Sequence, residues 1–276
     1  MKLGLSSLGY LVEDGLKSSH SSLFDFFMDA TRKCLEDSER YDLEICELVL
    51  EPPLIFENEN IEKFRELCNS FNVKKQVHAP FVDLCLCSHN KLIAKSSLET
   101  NILATKISNE IEADIITIHP GLANFLIRTI NEINYNVLIR NVKELLKKTE
   151  QLNLNICIEN MPKNAGILLD EEDLVGFFSF FNDTQLYLTY DTSHFWTCDG
   201  NLPNLWKYLS NEIKNIHLVD NYDKNSDSHP KLGTGKIDFK LLFEILNTYN
   251  YNDALIVELS SFNDVPESID FIYKFL

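Results

Sequence analysis

The sequence predicts an α/β fold closed into a (β/α)8 TIM barrel, organised as a single domain over residues 1–276, and three observations lead there. Short, β-branched apolar runs recur along the whole chain, longer amphipathic segments separate them, and the 276 residues match the roughly 250 typical of an α/β barrel. A strand followed by a helix, repeated eight times, describes parallel βαβ units, and eight of them favour closure. A doubly wound open sheet is the competing arrangement, but no G-x-G-x-x-G follows the first run.

The predicted strands, in order, are 2–6 KLGLS, 43–48 LEICEL, 75–79 KQVHA, 114–119 DIITIH, 154–159 LNICIE, 186–191 LYLTYD, 214–219 KNIHLV and 254–260 ALIVELS. Most read as nearly continuous apolar runs, as expected of strands covered on both faces. Among the intervening segments, 141–152 NVKELLKKTEQL carries apolar residues at helical spacing. The segment 238–246 DFKLLFEIL opens on an aspartate suited to cap a helix.

Composition narrows the function. The net charge is −17, from 42 acidic and 25 basic residues, which opposes non-specific attraction to a phosphate backbone. There are five arginines (Arg32, Arg40, Arg65, Arg128 and Arg140) and none after residue 140, so the second half lacks bidentate phosphate forks. Seven cysteines, at 34, 46, 68, 85, 87, 157 and 198, are odd in number and scattered through apolar runs, which fits reduced thiols and a cytoplasmic location. No apolar run approaches the roughly 20 residues that span a bilayer, so no membrane partner is expected.

A barrel places its active site at the C-terminal ends of the strands. Strand 3 ends in His78, strand 4 in His119, strand 5 in Glu159 and strand 6 in Asp191, with His194 three residues on. Strand 7 carries His217, the loop after it Asp227 and His229, and strand 8 Glu258. Five of the seven histidines thus share one rim, whereas His20 and His89 lie outside the pattern. Each residue also admits a structural role: Asp191 could cap the next segment, and either glutamate could bind backbone donors. What singles them out is their coincidence at one end of six consecutive strands. Imidazole with carboxylate suits zinc, manganese or cobalt, and nine ligands exceed the needs of one ion. Prolines shortly after His78, His119 and Glu159 stiffen the chain beyond each ligand.

The motifs VHAPF, ITIHPG, CIENMP, YDTSHFW, IHLVDN, DSHPKLGTGKID and IVELS, in that order over essentially the whole chain, resemble the xylose isomerase-like TIM barrels. That family includes endonuclease IV and many sugar and sugar-phosphate isomerases and epimerases. The isomerase branch is similar in using one ion held by Glu159, Asp191, His217 and Glu258. There Glu159 and Glu258 would form the catalytic pair that moves a proton to and from a carbon next to a carbonyl. Endonuclease IV is similar in using nine ligands for three zinc ions. Its counterparts here are His78, His119, Glu159, Asp191, His194, His217, Asp227, His229 and Glu258, and on that mapping the partner would be DNA at an abasic site.

Three departures weigh against the nuclease. The first strand region, LGLSSLGYLVED, lacks its histidine and glycine pair. APFVDLCLCS lacks the tyrosine that wedges into DNA and the asparagine near it. The loops after strands 5 to 8 offer Lys163, Lys224, Lys231 and Lys236 but no arginine. The leading expectation is therefore an enzyme acting on a sugar or sugar phosphate with one to three divalent ions, zinc or manganese. Lys163, Lys231 and Trp196 would be its substrate contacts. A non-catalytic sugar-binding barrel is a third possibility.

Overall fold

The computed structural model describes residues 1–17, 20–124, 131–182 and 184–276; Arg128 lies outside them. Eight parallel strands pair in sequence order and close into a barrel: β1 (Lys2–Ser6), β2 (Ile45–Val49), β3 (Lys74–His78), β4 (Ile115–Ile118), β5 (Asn155–Glu159), β6 (Leu186–Asp191), β7 (Ile213–Leu218) and β8 (Ala254–Val257). Closure is made by β1 against β8, with Lys2 opposite Ala254 and Leu5 opposite Val257.

Around the barrel lie α1 (Leu8–Lys17), α2 (Leu23–Arg40), α3 (Asn58–Asn69), α4 (Lys91–Glu110), α5 (Asn131–Thr149), α6 (Glu171–Phe178), α7 (Thr192–Thr197), α8 (Leu202–Leu209), α9 (Phe239–Thr248) and α10 (Val265–Ile272). Several begin where a short polar side chain accepts an otherwise unpaired backbone N–H. Ser22 caps α2, Asn90 α4, Asp170 α6, Asn201 α8 and, as expected, Asp238 α9. The segment predicted helical from 141 to 152 belongs to α5, which begins ten residues earlier and stops at Thr149. The outer faces of the strands pack against these helices through a continuous core that fully buries Phe27, Phe64, Phe177, Phe195 and Trp206. Burying each such ring contributes about 1.5–3 kcal/mol.

The lumen is layered. Ile45, Ala254 and Ile256 form a small apolar plug separate from the outer core. It closes around Gly4, where a Cβ would lie 2.7 Å from both Ile256 Cδ1 and Ile45 Cβ. Above the plug comes a polar layer that bonds across the barrel. Thr117 and Thr189 share a 2.8 Å hydroxyl contact, and Asn215 Nδ2 donates to Glu47 Oε2 at 3.0 Å. The next layer toward the strand C-termini holds the ring of histidines and acids.

One irregularity phases that ring. β6 and β7 pair Leu188 with Ile213 but Thr189 with Asn215, so Lys214 is an inserted residue, and beyond it Asp191 stands directly opposite His217.

Candidate metal centre

All nine rim residues singled out in the sequence converge on one mouth of the barrel. His78, Glu159 and Asp191 are the last residues of β3, β5 and β6, and His217 is the penultimate residue of β7. His119 and Glu258 lie one residue beyond strands shorter than expected. Just beyond both, the backbone leaves the sheet to bond elsewhere: Cys87 N–H takes the Pro120 carbonyl, and Ser260 N–H takes that of His229.

The residues fall into three groups, the second of which joins two sets that share His217, and within each set the ligand atoms are close enough to share an ion. In the first, Glu159 Oε2 lies 3.3 Å from His78 Nε2 and 3.0 Å from His119 Nε2. In the second, Glu159 Oε1 and Glu258 Oε2 lie 3.4 and 3.5 Å from His217 Nδ1, Asp191 completing the set with Glu159 and Glu47 that with Glu258. In the third, Asp227 bridges two rings, 3.0 Å from His194 Nε2 and 3.1 Å from His229 Nε2. Glu159 therefore links the first two groups, and Asp227 belongs only to the third.

Local structure explains the presentation. Asp191 does cap α7, accepting His194 N–H at 2.7 Å through Oδ1, yet its Oδ2 remains directed elsewhere. Asn160 pins this corner: its Oδ1 accepts Asp191 N–H, its Nδ2 donates to Asp191 O, and its carbonyl accepts from His194 Nδ1 at 2.9 Å. The loop bearing Asp227 and His229 is anchored by Asp220. Its carboxylate accepts the N–H groups of Gly233 at 2.9 Å, Gly235 at 2.8 Å and Ile237 at 3.2 Å. Gly235 is required there, because a Cβ would fall 2.2 Å from Asp220 Oδ1.

Electrostatics follow from packing acids and imidazoles in a dry lumen. Burial disfavours the imidazolium of His217, but Glu47, Glu159 and Glu258 outweigh it and hold its pKa well above the ordinary value. His194 is likewise raised against burial, by Asp191 and Asp227, and His229 is raised to about 9 by Asp227 and Glu258. Burial opposes ionisation of Glu159, yet His217 and His119 hold it well below the carboxylate range. Asp191 moves the other way, pushed up to about 7 by burial, with His194 opposing and Glu159 and Asp227 adding to the rise.

The donor set fits a divalent cation. Among the described residues, Asp191 Oδ2, His217 Nδ1, His229 Nδ1 and Glu258 Oε2 are buried and without a hydrogen-bond partner. Buried polar atoms are rarely left so. Nitrogen and oxygen donors in this mixture match zinc or manganese better than the all-oxygen shell of calcium. A further acid–histidine group, Asp14, His20 and Asp29, differs in kind, because Lys33 already pairs with both aspartates at 2.6 and 2.9 Å.

The ring borders a cavity of about 80 Å³ whose apolar wall includes Leu8, Val49 and Phe81. A neighbouring cavity of about 230 Å³ shares Asp227 and is lined by Lys163, Asn164, Thr197 and Lys224. Of the three expected substrate contacts, Lys163 thus lies beside the ring. Trp196 sits under Lys224, whose Nζ is 5.0 Å from its ring centroid, and Lys231 instead pairs with Glu267. Four residues that position the ring had not been singled out: Glu47, Asn160, Asn215 and Asp220. The available signal was a charge or amide between apolar neighbours, as in ICELV and KNIHL.

With this architecture and this ring, the chain belongs to the xylose isomerase-like TIM barrel family, whose model matches residues 35–275. Among proteins of known sequence it is similar to the uncharacterized protein MJ1311 of Methanocaldococcus jannaschii, 28% identical over all of this chain and 89% of that one. Among solved structures it is similar to a D-tagatose 3-epimerase-like protein, with a TM-score of 0.81 and 25% identity over 100% of this chain and 97% of the other. It also matches the fold of D-allulose 3-epimerase from Methylomonas sp., with a TM-score of 0.79 at 15% identity, covering 100% and 97% of the two chains.

Proposed function

We propose that this protein is a divalent-metal-dependent isomerase or epimerase of a small sugar or sugar phosphate. The observation that carries the reading is the placement of Glu159 and Glu258 on either flank of His217 Nδ1, at 3.4 and 3.5 Å, both bordering the same small cavity. A zinc or manganese ion held by Glu159, Asp191, His217 and Glu258 would polarise adjacent substrate oxygens and acidify the carbon between them. Glu159, kept ionised by His217 and His119, is suited to take a proton from that carbon. Glu258 is suited to return one: to the same carbon from the opposite face in an epimerisation, or to the neighbouring carbon of the enediol in an isomerisation. Lys163, in the cavity beside Asp227, is suited to a phosphate on the substrate, whereas Lys224 in the same cavity already pairs with Asp199. Likeness to the D-tagatose 3-epimerase-like protein supports the same substrate class.

The group of His194, Asp227 and His229 favours a second reading, because a one-ion isomerase has no need of it. With three ions the ring would suit a phosphodiesterase of the endonuclease IV type acting on abasic DNA. The deciding experiment is elemental analysis of the purified protein, followed by assays on a panel of ketoses, their phosphates and one abasic duplex. We expect proton exchange at a sugar carbon. Three zinc ions with strand cleavage and no sugar turnover would replace the first reading by the second.

A further inference from the structure

The fully buried Glu47 takes no part in the ring as read from the sequence. It stands on β2, and His217 stands on β7, with β8 and β1 between them in the barrel order. His217 Nε2 nevertheless sits between the two Glu47 oxygens, 3.1 Å from Oε1 and 3.3 Å from Oε2. Asn215 Nδ2 also lies 3.2 Å from Nε2, but its two hydrogens are directed to Glu47 Oε2 and Thr117 Oγ1, so the facing carboxylate decides that Nε2 carries the proton. The opposite nitrogen, Nδ1, faces Glu159 and Glu258 and has no hydrogen-bond partner among the described residues.

This orientation is the reverse of that in two other ring histidines. His78 and His194 bind backbone carbonyls through Nδ1, at 2.8 and 2.9 Å, and turn Nε2 inward. His194 Nδ1 also lies 3.3 Å from Glu159 Oε1, an acid already in the ring, whereas His217 is given a further acid carried into a fully buried position for it. Asn215 steadies that acid, donating from Nδ2 to Oε2 at 3.0 Å and linking it to Thr117. Burying a carboxylate is costly unless it is paired, and simple packing is served better by an apolar side chain.

We propose that Glu47 is a positioning residue for the ion held by Glu159, Asp191, His217 and Glu258. It fixes His217 as the Nε2–H tautomer and strengthens Nδ1 as a donor, so that this ion is held more tightly than any held by the groups around it. The inference rests on the metal-dependent reading above, and it applies whether the ring holds one ion or three.

The test is zinc titration of the full chain, wild type against Glu47→Gln, by competition with a chelator and with stoichiometry counted at saturation. Glutamine preserves shape and can still accept from Nε2–H, but it removes the charge. We expect the same stoichiometry with the tightest site weakened about 10- to 100-fold. An affinity within about threefold of wild type would overturn the proposal, and so would the loss of one whole ion, which would make Glu47 a ligand. Histidine 15N spectra of the zinc-loaded wild type give an independent reading that needs no variant. We expect His217 protonated on Nε2, and protonation on Nδ1 would overturn the proposal. A wild-type chain with no zinc affinity would instead overturn the metal-dependent reading itself.

Discussion

Among single residues, the proposed ligands of the ring were legible in the sequence because each charge or imidazole interrupts or closes an apolar run at the same end of a strand. Glu47 was not, because it lies two residues inside β2, where a polar residue reads as ordinary alternation. Its role depends on a partner 170 positions away. Asp191 shows that a capping role and a ligand role need not compete, since one oxygen serves each. Replacing either member of the proposed proton-transfer pair, as in Glu159→Gln or Glu258→Gln, should lower turnover about 10²- to 10⁴-fold, read as kcat on the substrate found in the panel. His194 and His217, held protonated by neighbouring acids, must lose those protons when an ion binds. Binding therefore releases protons and tightens as pH rises, by about tenfold per unit for each proton displaced. Calorimetry in buffers of different ionisation enthalpy checks this. Cys85 carries a prediction independent of the ring. A hydrogen bond from the Cys87 thiol outweighs burial and brings it down to about 7, whereas Cys198, also half-buried, is raised. Iodoacetamide should label Cys85 first, with a rate that climbs through about pH 7 as read by mass spectrometry.

At the level of elements, the strand positions followed from their composition, but their ends did not. β4 stops just before Pro120, which has no N–H to give; after β8, Glu258 N–H still bonds to Leu218 of β7 and only Ser260 turns to the His229 carbonyl, a long-range exchange that no local pattern announces. The glycines at 233 and 235 shape the return of the loop after β7. The anchor that makes them necessary is Asp220. Asp220→Ala would leave four backbone donors, those of Asn221, Gly233, Gly235 and Ile237, without their acceptor and should destabilise the protein by about 3 kcal/mol, seen in denaturant titration. The inserted residue at Lys214 matters for a different reason. Side chains alternate between lumen and helices, so deleting one residue there would turn Asn215 and His217 outward unless the strand slid to compensate. Loss of metal binding with retained helical content is the expected result, read by elemental analysis and circular dichroism.

For the molecule as a whole, eight repeated βα units were enough to predict the closed barrel, because parallel strands buried on both faces leave few other solutions. Composition alone did not reveal how much charge the lumen encloses. Glu47, Glu159, Asp191 and Glu258 are all nearly inaccessible to solvent, and a cation bound as proposed would offset their mutual repulsion. Chelation should accordingly lower Tm, and zinc at about 100 times its Kd should restore about 2.7 kcal/mol, or roughly 5 °C for a chain of this size.

The apolar plug of Ile45, Ala254 and Ile256 has a consequence for isotopic labels. It leaves the ring open to bulk water through one mouth only, and a bound sugar would cover that mouth. A deuteron lifted from the substrate by Glu159 would then have no rear exit, and return to the same molecule would compete with washout. In the proposed reaction, substrate deuterated at the reacting carbon should be recovered with part of its label when Glu159 returns the deuteron, whereas product formed through Glu258 should carry a proton instead. Widening the lower lumen by Ile256→Ala should reduce that retention.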